Sequence, residues 1–298
     1  MMPPAIITLA FDPVLRFVGL EVRAQTAVLA GIILVALVLA AWSGRAPSLT
    51  SAFLPLSRTS PAQLPVIALG VVAGAVIGGR IDYVLLHLDF YAVNPGSILD
   101  PAQGSLSLGL AVLGGVVGGI AMTGVVDAPA GRWMHVATIP TLFLLVAGKF
   151  ASVLAAEGQG MPSDLPWATA FGGPGPWSSL APDVPSHPSQ VYEAIATTIV
   201  MIVLWIALRL GAFRRRDGSA LLAAIALWAI GRGAVAATWR DATVAGPLNA
   251  EQLILVGVAV ACGVTLLVLA RRRRAEPPPL PDPDTPPTWP DPATRPRF

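Results

Sequence analysis

The stretch His187-Pro188-Ser189-Gln190-Val191-Tyr192-Glu193 runs directly into AIATTIVMIVLWIALRL, residues 194–210. A dense polar cluster therefore stands at the mouth of an apolar run. A bilayer core about 30 Å thick needs roughly 20 such residues at about 1.5 Å each, so this run is a membrane span beginning near 189. The rest of the chain follows the same pattern. Of its 298 residues, 54% are hydrophobic and only 12% are charged, the balance of an integral membrane protein. Seven stretches qualify as spans, approximately 25–43, 65–88, 105–125, 135–155, 189–211, 218–238 and 248–270. The expected fold class is an all-α integral membrane protein of about seven transmembrane helices.

Orientation follows from the basic residues, because short cytoplasmic loops keep them. Of the 19 Lys and Arg, eleven lie on one side: Arg45, Arg58, Arg132, Arg209, Arg214 to Arg216 and Arg271 to Arg274. Arg16, Arg23 and Arg240 lie on the other, and the loops 89–104 and 156–188 hold neither Lys nor Arg. This count predicts an N-terminus outside and a C-terminus in the cytoplasm. It divides the chain into a polytopic membrane domain, 1–270, with an outer loop at 156–188, and a tail, 271–298. The tail opens on a basic stop-transfer run and continues with ten prolines in its last 24 residues, which predicts a disordered cytoplasmic segment. The first 25 residues are not expected to form a cleavable signal sequence.

The formal charge of +2 is dispersed between apolar runs, so a nucleic-acid partner is not expected. The single cysteine, Cys262, sits in an apolar run and reads as lipid-facing or packing; neither a disulfide nor a metal cluster is expected. Gly70, Gly74 and Gly78 in the second span, and Gly114/Gly118 and Gly115/Gly119 in the third, are spaced for close helix packing or for making room for a lipid. The outer loop, with Trp167 and Trp177, is expected to lie against the headgroups.

Charges inside spans carry the strongest chemical signal, because each is costly unless paired, wetted or used. Arg80 shares a helix face with Tyr83 and His87, while Asp82 points elsewhere around the helix. Lys149 in the fourth span is followed by Ser152 and Glu157, and Arg232 in the sixth has no acid near it in its own helix. Three cations with too few intramembrane acids predict an anionic ligand, a phospholipid headgroup being the natural one in a membrane. Structural ion pairs between helices are the competing reading. At the opening cluster, Pro188 suits the first helical position and leaves His187 near the cap, with free amides that favour an anion. A capped helix start with interhelical hydrogen bonds explains the cluster equally well.

HPSQVYE, together with GGRIDYVL around Arg80, FDPV at Phe11 to Val14, and GKFASVLAAEGQG from Gly148 to Gly160, resembles the bacterial prolipoprotein diacylglyceryl transferase family. The resemblance covers nearly the whole chain up to Arg240. It implies seven spans in a bacterial plasma (inner) membrane, no cofactor, and transfer of diacylglyceryl from phosphatidylglycerol to the lipobox cysteine of a prolipoprotein whose signal peptide enters laterally. Such a reaction needs a thiolate and a cationic clamp on the leaving phosphate.

Carried over by position, Glu157 and His187 are the expected catalytic groups. Lys149, Arg80, Ser152, Gly160, Gln190, Tyr192, Glu193, Arg232 and Arg240 are the expected substrate-binding set, with Lys149 and Arg232 on phosphate and Glu157 orienting them. The chain also departs from the family pattern. Lys149 stands for an arginine, Ser152 and Ala155 for asparagines, Leu113 for a histidine and Ala24-Gln25-Thr26-Ala27 for an aromatic motif. Arg232 and Arg240 are separated by one residue more than in the family, without a glutamate between them. These departures leave open a paralogue that binds phospholipid or signal peptides without transfer. A small-solute transporter would show internal repeat symmetry, which the sequence does not.

Overall fold

The computed structural model describes residues 6–17, 19–45, 60–100 and 102–275. Arg58 and the proline-rich segment 276–298 lie outside the described residues, as does the side chain of Arg45. In chain order the elements are β1 (Ile7–Ala10), β2 (Val14–Phe17), β3 (Leu20–Arg23), α1 (Ala24–Arg45), α2 (Leu64–Leu86) and the short α3 (Leu88–Val93). There follow α4 (Leu108–Val125), α5 (Ala130–Val153), β4 (Thr169–Gly172), α6 (Ser189–Arg209), α7 (Ser219–Val235), β5 (Thr243–Ala245), β6 (Leu248–Asn249) and α8 (Ala250–Ala275).

Among the described residues seven helical segments are long and apolar enough to cross a membrane, at the seven places the sequence predicts. Two ends differ from expectation. α5 starts at Ala130 rather than near 135, after Pro129, whose fixed φ suits a helix entrance. α8 runs on through Arg271 to Arg274, because arginine is a good helix former and is favoured where the helix dipole is negative. The all-α expectation holds for the membrane body. Outside it the described residues form three two-stranded sheets, β1 with β4, β2 with β3, and β5 with β6.

The glycines of α2 and α4 interlock. A Cβ placed on Gly74 would lie 2.1 Å from the Gly114 carbonyl oxygen, and one on Gly118 would lie 2.1 Å from that of Gly70. Only glycine allows so close a crossing, which settles the packing reading of these positions. A second group of helices is built on α5, which packs against α1, α6 and α7, while α7 also packs on α8. Trp228 and Ile225 of α7 and Leu255 and Val258 of α8 are each 1% exposed and form the central core. Cys262 is buried in the same core, so it packs rather than faces lipid.

The loop after α5 is tied down by a strand pairing and by a buried glutamine. β4 pairs in parallel with β1, Ile7 opposite Thr169, and Gln159 pins the loop from within. Its buried amide donates to the carbonyls of Thr169 and Val184, both at 3.1 Å, and its carbonyl accepts the Ser179 hydroxyl at 2.7 Å. Trp177 turns inward, edge-on to Phe11 with ring centroids 5.2 Å apart, while Trp167 stays half exposed.

Candidate active site

The residues singled out in the sequence come from helix ends that meet. The C-terminal parts of α5 and α7 lie beside the N-terminal turns of α6 and α8, as the ion pairs between them show. Glu193, in the second turn of α6, is 2% exposed and receives two cations. Lys149 Nζ lies 3.1 Å from its Oε2, and Arg232 Nη1 donates to its Oε1. The other edge of the Arg232 guanidinium turns to Glu251 at the start of α8, with Nε and Nη2 at 3.0 and 2.9 Å from the same Oε1. Trp239 covers the guanidinium face, its ring centroid 4.6 Å from Cζ. Lysine, glutamate, arginine and glutamate thus alternate through four helices, two positive charges against two negative.

This arrangement corrects the charge count made from the sequence. Lys149 and Arg232 do not lack acids: Glu193 and Glu251 match them one for one. Glu251 was missed because it lies 19 residues beyond Arg232 on another helix, where it reads as an ordinary acid in a first helical turn. The consequence for a phosphate clamp is unequal. Arg232 is 6% exposed and committed to carboxylates on both edges, whereas the Lys149 side chain is 18% exposed and touches Glu193 with one of its three donors. Lys149 is therefore the accessible cation of the cluster and Arg232 its anchor.

Arg80 belongs to a different construction. Its Nε donates to the carbonyl of Ile98 at 2.6 Å, and Nη2 reaches the carbonyls of Ser97, Asp100 and Gln103 at 2.8, 2.9 and 3.0 Å. Tyr91 lies 5.4 Å beneath its Cζ and donates its own hydroxyl to the Gln103 carbonyl at 2.6 Å. The sequence expects Arg80 as a ligand-binding residue, and in the structure its guanidinium gathers the loop before α4. Its predicted helix face is present, with the Tyr83 and His87 rings stacked at 4.1 Å. Asp82, fully buried, accepts the Leu110 amide at 3.0 Å and so caps α4 from the neighbouring helix.

Around the mouth of α6 the remaining motif residues form a frame. Gly160 donates its amide to the His187 carbonyl at 2.9 Å. A Cβ at Gly160 would come within 2.3 Å of Ser189 Oγ and 2.5 Å of the Thr238 carbonyl oxygen, so no larger residue fits. Arg240 closes the frame, with Nε 2.7 Å from the Gly160 carbonyl and Nη2 2.9 Å from Ser186 Oγ. α6 itself begins at Ser189, where the span is expected, with Pro188 in the capping position rather than as the first helical residue. Ser189 Oγ bonds Thr238 Oγ1 at 2.7 Å.

His187 Nδ1 lies 3.4 Å from Tyr192 Oη, which in turn accepts Trp167 Nε1 at 2.7 Å. Gln190 is 3% exposed, and its amide nitrogen has no hydrogen-bond partner among the described residues. Ser152 bonds back to the Gly148 carbonyl at 3.3 Å within its own helix. Glu157 is exposed on the turn after α5 and accepts the amide of Gln25 from the first turn of α1. The structure thus brings together Lys149, Glu193 and Arg232 in one group and Gly160, His187, Tyr192 and Arg240 in another on the same helix end, while Arg80 stands apart.

The family model for prolipoprotein diacylglyceryl transferase matches residues 13–269 of this chain. The chain belongs to that family. Among curated relatives, a phosphatidylglycerol–prolipoprotein diacylglyceryl transferase of Nitrobacter hamburgensis is 32% identical over 235 residues, 74% of this chain and 74% of the relative. A protein of the same name from Ruegeria pomeroyi is 34% identical over 176 residues, but there the match covers 52% of this chain and 55% of the relative. A third, from Nostoc, is 27% identical over 234 residues, covering 76% of this chain and 79% of its own length. The prolipoprotein diacylglyceryl transferase match spans both groups of site residues, from Lys149 to Arg240, and Glu251 as well.

Proposed function

We propose that this protein is a phosphatidylglycerol:prolipoprotein diacylglyceryl transferase of the bacterial inner membrane. What carries the reading is that residues dispersed from Lys149 to Arg240 in a family-matched chain converge on one end of the helix bundle. The acceptor is the lipobox cysteine of a prolipoprotein, held near the membrane by its signal peptide. Its sulfur forms a bond to the glycerol carbon of phosphatidylglycerol while that carbon's bond to the phosphate oxygen breaks, and glycerol phosphate leaves with the electron pair.

The residues divide the work by exposure and donor type. Lys149 supplies the cation for the phosphate, kept in place by Glu193. Arg232, turned inward on two carboxylates, fixes Glu193. The side-chain amide of Gln190, buried and without a partner among the described residues, adds an uncommitted donor for the same charge. His187, oriented by Tyr192, is the candidate acceptor of the thiol proton in a chain whose third span carries Leu113 where the family has a histidine. Glu157 is the second candidate, and Arg240 and Gly160 hold the frame around both. The arginine count in the loops supports an N-terminus outside, a cytoplasmic C-terminus and a proline-rich cytoplasmic tail after the basic run.

Expression in a bacterium depleted of its own transferase should restore growth, and purified protein with phosphatidylglycerol should add a diacylglyceryl mass to a lipobox peptide. Absence of both, with the protein present in the membrane, would sink the proposal.

A further inference from the structure

The Lys149–Glu193–Arg232 chain has a fourth member that neither the motifs nor the family resemblance points to. Glu251 is 2% exposed and takes two of the Arg232 donors, Nε and Nη2, on one oxygen. A guanidinium facing one carboxylate closes a two-bond fork on both of its oxygens. Here Glu251 holds the guanidinium so that only Nη1 faces Glu193, which leaves Glu193 Oε2 for Lys149 at 3.1 Å. Removing the Glu251 charge frees Arg232 to rotate onto both Glu193 oxygens. Lys149, the more accessible cation of the group, would then lose its counter-charge and its position.

The sequence shows why the acid has to come from α8. Between Arg232 and Arg240 the chain reads GAVAATW, without an acid. Ala236, one helical turn after Arg232 and 1% exposed, stands where an acid on the arginine's own helix would lie. We propose that Glu251 is a positioning residue of the transferase site, a transposed acid that acts on Lys149 through Arg232 and Glu193. The assignment rests on the proposed transferase function for its chemistry and on the ion-pair geometry for its residues.

A double-mutant cycle on the full-length protein in detergent tests it, with binding of dihexanoyl phosphatidylglycerol measured by calorimetry and transfer measured with a lipobox peptide. Glu251→Gln should weaken phosphatidylglycerol binding roughly thirtyfold and raise KM more than it lowers kcat. Adding Lys149→Gln to it should cost little more, because both changes remove the same contact. Moving the acid, with Glu251→Ala and Ala236→Glu together, should recover binding to within about tenfold of the parent, a result that a purely structural role for residue 251 would not produce.

Unchanged binding in E251Q, or strictly additive losses in the cycle, overturns the inference. If E251Q does not fold, folding and binding by the relocated variant support it and failure of both variants overturns it. A parent protein that binds phosphatidylglycerol without transferring it removes the transferase reading and leaves the cycle to judge Glu251. A parent that does not bind removes both.

Discussion

Two arginines are held within this membrane body by opposite means. Arg232 is 6% exposed and rests on two carboxylates, so its charge is cancelled where it lies. Arg80 rests on the carbonyls of Ser97, Ile98, Asp100, Gln103 and Ser105, which satisfy its hydrogens without cancelling its charge. The first construction joins helices distant in sequence into a neutral cluster with one reachable cation at its edge. The second shapes a single loop. An intramembrane charge announces a strong constraint in either case, and its partners decide whether that constraint is a site or a scaffold.

The comparison breaks most visibly at Glu193. Glu193→Ala leaves both Lys149 and Arg232 short of a carboxylate in a buried setting, which costs on the order of 3–5 kcal/mol. Thermal unfolding in detergent should register this as the largest single loss among the site variants. Unfolding close to that of the parent would mean that the cluster is not a charge-balanced unit. At Arg80 the expected loss is smaller, about 1–3 kcal/mol for Arg80→Met, because five neutral carbonyls lose a donor and no charge is stranded. That loss should be local, appearing as faster proteolysis between α3 and α4 with transfer activity reduced less than in Lys149→Gln. A greater loss of activity in Arg80→Met than in Lys149→Gln would rank Arg80 above Lys149 in the binding set.

The spans were readable because a bilayer enforces composition over some twenty consecutive residues, a signal that survives without knowledge of any contact. The glycine spacing of Gly70, Gly74 and Gly78 was readable for a similar reason, since close crossing leaves a helical period. Pairings between remote segments left no such trace. β1 lies beside β4 although Ile7 and Thr169 are far apart in sequence, and nothing in four residues of strand announces its partner. Gln159, which holds the outer loop from inside, looks in sequence like any loop glutamine. At the site, the sequence named Lys149, Glu193 and Arg232 without showing that they touch, and it passed over Glu251. An acid is legible as a partner only when it shares a helix or a turn with its cation, and this cluster takes its acids from α6 and α8.

Another arginine, Arg273 paired with Asp217, sharpens the contrast because water reaches it. Side-chain exposures are 31% and 27%, and Ser219 donates to the same carboxylate from its amide at 3.2 Å and its hydroxyl at 2.7 Å. Burial pushes the Asp217 carboxyl up, but these donors and the Arg273 guanidinium outweigh it and hold the group below its ordinary value. A carboxyl depressed in the folded protein contributes stability that is fully present above its unfolded pKa, near about 3.9, and is lost as pH falls through the lower folded value. Asp217→Asn should therefore cost less than about 1 kcal/mol at neutral pH, and the gap between variant and parent should close as the medium is acidified below about pH 4. Melting temperatures measured across that range check the sign. A gap that persists or widens in acid would show that Asp217 acts through packing at the start of α7, and that its charge adds nothing to the hold on α8.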